Sequence, residues 1–72
     1  MKIFAKADFR VVRIKNGFTM AKLARMLGVS RTAMGLFERR KNGISPEKSR
    51  MLLDILGVEF DDVFELVERG GD

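Results

Sequence analysis

The stretch that most constrains this chain is Thr19 to Phe37, TMAKLARMLGVSRTAMGLF. Leu23, Ala24 and Leu27 make one apolar stripe at helical spacing. Gly28 follows where that helix would have to stop, and glycine adopts a positive φ without a Cβ clash. Thr19 is a helix N-cap by residue type, and so is Ser30. Val29 between the helices reads as a buried plug, and Met34 and Phe37 give the second helix its own inward stripe. Two short helices are therefore expected, 20–27 and about 31–39, joined by a tight turn at Gly28.

Two helices joined by a short connection containing glycine make up a helix-turn-helix unit. The pattern resembles the phage repressor/Cro type, the XRE family, from about Val12 to Phe64. Ala24 stands at the family's small position and Gly28 at its turn glycine. Val29, Met34 and Phe37 stand at its apolar plugs, and LGVS at 27–30 matches word for word. LGVEFDDVF at 56–64 is similar to the family's ending. The resemblance also implies a buried ion pair between Arg13 of the first helix and Glu38 at the end of the second unit helix. It implies an all-α fold, a compact bundle of about five short helices (lambda repressor-like), with double-stranded DNA as partner. In such a fold the helix over 31–39 lies in the major groove, its first turn aimed at base edges.

Seventy-two residues make one domain, 1–72. A chain this short buries only about 60% of its unfolded surface. It has no Cys to brace it and no His, Trp or Tyr. A nucleophile–base set, a phosphate-cradling glycine loop and a metal cluster are all missing, so neither an enzyme nor a cofactor is expected. No apolar run approaches the roughly 20 residues of a membrane span. Met1 to Ala5 returns to charge at Lys6, unlike a signal peptide. A cytoplasmic, nucleoid-associated protein of bacterial or phage origin is the expectation.

Charge is polarised along the chain. Residues 1–50 hold 13 Lys/Arg and 3 Asp/Glu, a net of +10, whereas residues 51–72 hold 1 Arg and 7 acids, a net of −6. The basic part overlaps the two-helix unit, as a surface that meets phosphates would require.

The unit's outward residues are the candidate site. Arg31 is the expected main base reader, since arginine bonds guanine O6 and N7 together. Thr32 is second, able to bond a base or touch a thymine methyl. Gly35, costly inside a helix by about 1 kcal/mol, either lets the backbone approach DNA or is tolerated drift. Leu36 either touches a thymine methyl or is an ordinary exposed leucine. Thr19, Met20, Lys22 and Ser30 are expected at phosphates, because helix N-termini present free amides and a positive dipole end. Met20 replaces the family's usual glutamine, which removes one side-chain donor. Arg39, Arg40, Lys41 and Asn42 form an expected phosphate clamp. Arg40 stands where the family has a helix-ending glycine, and Ile44 where it has a proline. The helix is thus expected either to run longer or to turn at Asn42-Gly43.

The remaining elements frame this unit. Helix 1 is expected from Asp8 or Phe9 to Asn16, with Asp8 as cap, Gly17 as stop and Phe18 in the core. Ser45-Pro46-Glu47 starts helix 4. Ser49, Leu52, Leu53 and Leu56 form its core face, which Met51 and Ile55 widen, and Gly57 stops it. Helix 5 is expected from Phe60 or Asp61 to Leu66, its Asp61-Asp62 pair favouring the helix start. Residues 1–7 and 64–68 are expected to pair as a small antiparallel ribbon; the alternative is a frayed N-terminus and a longer last helix. Residues 68–72 read as a loose tail.

One such module makes few base contacts, so a homodimer on an inverted repeat is expected. Met51, Ile55, Phe60, Val63, Phe64, Leu66 and Val67 are its candidate interface. The competing function is a protein-interaction module of the same fold, an antitoxin or antirepressor, gripping its partner through this apolar C-terminal part.

Overall fold

The computed structural model describes residues 1–68, so 69–72 of the expected loose tail lie outside the described residues. The order is β1 (Lys2–Ala5), α1 (Phe9–Lys15), α2 (Met20–Leu27), α3 (Arg31–Glu38), α4 (Pro46–Leu56), α5 (Phe60–Val63) and β2 (Phe64–Val67). Helices α2, α3 and α4 lie where the sequence puts them, give or take one residue.

Their ends follow from local chemistry. Thr19 Oγ1 accepts the Lys22 amide at 3.1 Å, and Ser30 Oγ accepts the Ala33 amide at 3.0 Å. Ser45 Oγ accepts the Lys48 amide at 3.2 Å, ahead of Pro46 at the start of α4. Gly28, with φ 74°, ends α2 in the left-handed region. The expected Asp8 cap is a correction. Asp8 is itself helical and makes no side-chain cap bond. The Lys6 carbonyl accepts the Phe9 amide instead, at 3.0 Å.

The end of α3 also differs from expectation. It neither runs on nor turns at Asn42-Gly43. Arg40 takes the left-handed conformation, φ 64°, at the position the resemblance reserves for glycine. The Lys41 amide reaches back to Leu36 O at 2.8 Å and the Arg40 amide to Phe37 O at 3.0 Å. These bonds satisfy carbonyls that a helix terminus leaves open.

The ribbon forms, and it shortens the last helix. Phe64 is extended at φ −125°, ψ 162°, so α5 stops at Val63 rather than Leu66. Strand β2 pairs antiparallel with β1, with Ala5 opposite Phe64 and Lys2 opposite Val67. A further bridge joins Ile3 to Ile44, the Ile44 amide reaching Ile3 O at 2.8 Å. This third partner holds the 40–45 loop against β1. It requires Gly43, since a Cβ there would sit 2.9 Å from Ile3 O.

The core lies between the ribbon and the helices. Phe9, Phe37 and Phe64 meet with ring centroids 5.3 to 6.2 Å apart, joining α1, α3 and β2. Leu23, Leu27, Met34, Leu52 and Val63 close around them. Val63 and Phe64 are fully buried in this core, and Ile55, Phe60 and Val67 are half-buried. Of the expected apolar interface, only Met51 and Leu66 are exposed.

Candidate nucleic-acid interface

Helices α2 and α3 pack on each other so that the first turn of α2 faces the outward side of α3. Thr19, Met20, Ala21, Arg31, Thr32, Gly35 and Arg39 line one shallow open groove there. Six of these seven are candidates from the sequence, and no acidic side chain lines the groove. Ala21 is the residue that sequence reasoning missed, although its place one residue after Met20 on the first turn was legible.

Arg31 and Thr32 are exposed on the first turn of α3. Leu36, one turn on, is half-buried. The Thr19 and Ser30 hydroxyls accept backbone amides as caps, which leaves each O–H free to donate outward. The first amides of α2 have no partner within the helix, so its start is an electropositive end beside the groove. Lys22 lies outside the groove. Its Nζ sits 5.5 Å from the centre of the Phe18 ring, a cation–π contact that keeps the charge at the surface.

Two expected site residues have close neighbours within the chain. Gly35 lines the groove yet is itself buried: a Cβ there would lie 3.4 Å from Met20 Sδ and 3.8 Å from Arg39 Nη1. Its small size lets α2 start close against α3. Arg40 of the expected clamp donates its Nη2 to Glu65 Oε2 of β2 at 2.9 Å. Arg39, Lys41 and Asn42 remain exposed at the end of α3.

Arg13 fixes the C-terminal end of α3. Its Nε and Nη2 donate to the two Glu38 carboxylate oxygens, each at 2.9 Å, and its Nη1 donates to Phe18 O at 2.7 Å. Arg10 adds a looser contact to Glu38 at 3.9 Å. A second support was not legible in the sequence. Lys48 Nζ, reaching from α4, donates to Leu27 O at 3.0 Å and closes the C-terminus of α2. Among the described residues no helix is long and apolar enough to cross a membrane.

Comparison with known proteins agrees with this arrangement. A hypothetical transcription factor from Neisseria, NHTF, has a similar solved structure, with TM-score 0.65 and 28% identity over 75% of this chain. This chain spans 61% of that one. No curated protein sequence matches it. The helix-turn-helix family model matches residues 9–63, from the first residue of α1 to the last of α5. With more than half its length matched across all five helices, the chain belongs to the XRE-type helix-turn-helix family.

Proposed function

We propose that this chain is a sequence-specific DNA-binding transcriptional regulator. It reads the major groove of double-stranded DNA with α3 and acts as a repressor, dimeric on an inverted repeat. One observation carries the reading: Thr19, Met20, Arg31, Thr32 and Arg39 converge on a single acid-free groove, from two helices and from separated positions in sequence. Arg31 and Thr32 meet base edges, Arg31 as the main reader. Leu36 lies one turn deeper, at thymine-methyl reach. Thr19, Met20, Ser30, Lys22, Arg39, Lys41 and Asn42 lie along the flanking phosphates. Membership of the helix-turn-helix family and the likeness to a hypothetical transcription factor support the same class of function.

Most of the apolar C-terminal part packs inward, which leaves Met51 and Leu66 as its exposed side chains for a homodimer or for another protein alike. Selection from random duplex DNA at near-physiological salt tests the proposal. An enriched inverted repeat is the expected result, and its half-site spacing gives the dimer geometry. Salt-sensitive retention without any enriched sequence would overturn sequence-specific reading.

A further inference from the structure

Arg39 borders two depressions. One is the groove just described. The other is a notch between the end of α3 and the ribbon, lined by Phe4, Arg39, Arg40, Glu65 and Val67. Glu65 is therefore an acidic side chain set beside the proposed DNA face, and it binds the middle residue of the basic run Arg39-Arg40-Lys41.

Exposed ion pairs usually contribute little, because two long side chains must be ordered to make them. Here both backbones are already fixed. Arg40 is held left-handed by the bonds that close α3, and Glu65 sits in β2 opposite Phe4 of β1. The Arg40 Nη2 to Glu65 Oε2 distance is 2.9 Å, with the side chains 51% and 37% exposed. That exposure leaves the pair open to competition from a phosphate oxygen.

We propose that Glu65 is an electrostatic restraint on DNA binding: it withholds Arg40 from the phosphate backbone, so that of the three cations in the run only Arg39 and Lys41 act at this end of α3. Withholding one cation lowers affinity for all sequences equally and leaves base reading untouched. The ratio of specific to non-specific binding is thereby unchanged, while the protein's total hold on any duplex is weaker. The same pair holds the end of the reading helix to the ribbon. The inference rests on the DNA-binding reading above.

The test is the salt dependence of duplex binding for the wild type, Glu65→Gln, Arg40→Gln and the double variant, on one selected and one random duplex. Glu65→Gln should bind both duplexes several-fold more tightly and steepen the slope of log K against log salt by about 0.9, one phosphate contact. Arg40→Gln alone should leave the slope unchanged, and adding it to Glu65→Gln should abolish the gain. Melting curves of each variant establish that it is folded at the assay temperature. An unchanged slope in Glu65→Gln overturns the inference while leaving DNA binding intact. So does a flatter slope in Arg40→Gln alone, because Arg40 would then already be on a phosphate. No binding of either duplex by the wild type would instead overturn the DNA-binding reading, and the inference with it.

Discussion

Arg13 and Glu38 form a two-pronged ion pair, 2.9 Å on each prong, with side chains only 8% and 7% exposed. It ties α1 to the last residue of α3, and the third Arg13 donor ties both to the Phe18 carbonyl. Removing one partner leaves a buried charge without compensation. Glu38→Ala should therefore cost about 3–5 kcal/mol. For a domain of this size that is a fall in melting temperature of more than about 12 °C. Arg13→Met with Glu38→Leu should recover part of the loss but not all, because Phe18 O then lacks its donor. Thermal denaturation of the single and double variants checks both statements. A single-variant shift near zero would contradict the burial that the structure shows.

Arg31 projects from the first turn of α3 into the groove and is exposed. As a base reader it should lose about 1–3 kcal/mol of specific affinity on Arg31→Ala, with preference relaxed at one base pair. Binding to the selected operator and to each single-base variant gives the measurement. Equal weakening on every sequence would make Arg31 a phosphate ligand instead.

Two glycines should respond to alanine with opposite sign. At Gly43 the new Cβ would sit 2.9 Å from Ile3 O, a backbone atom held in the ribbon. Gly43→Ala should cost about 1–3 kcal/mol and loosen the Ile3–Ile44 bridge. At Gly35 the nearest atom is Met20 Sδ at 3.4 Å, the far end of a flexible side chain. Gly35→Ala should gain helix propensity of up to about 1 kcal/mol and raise the melting temperature. Calorimetry of the pair separates the effects, and a stabilised Gly43→Ala would contradict the close approach.

What was legible in the sequence follows a physical pattern. The caps at Thr19, Ser30 and Ser45 and the stop at Gly28 are short-range chemistry, so residue type and spacing reveal them. The Arg13–Glu38 pair was legible only through family resemblance, since its members lie 25 positions apart. Arg40 misleads because its left-handed conformation breaks the local rule that assigns such a position to glycine or asparagine. That conformation persists where the backbone bonds to Leu36 and Phe37 and the Glu65 partner over-determine it. The packing of Gly35 against Met20 was not legible, because helical periodicity alone does not say where α2 begins to cross α3. Lys48 and Glu65 became visible as partners only when α4 and the ribbon were in place.

The end of α3 yields the sharpest contrast between neighbours in sequence. Lys41 is exposed immediately after the left-handed Arg40, whose guanidinium is turned to Glu65. Lys41→Ala should weaken binding by a similar factor on any duplex and flatten the salt slope by about 0.9, as expected for one lost phosphate contact. The melting temperature should hold, because surface substitutions of this kind usually stay within about 0.5 kcal/mol. Titration of specific and random duplexes across a salt series reads both quantities. A loss confined to the specific duplex would move Lys41 from the backbone to a base edge. An unchanged slope would remove it from the interface and leave Arg39 and Asn42 as the groups that hold DNA at that end of the helix.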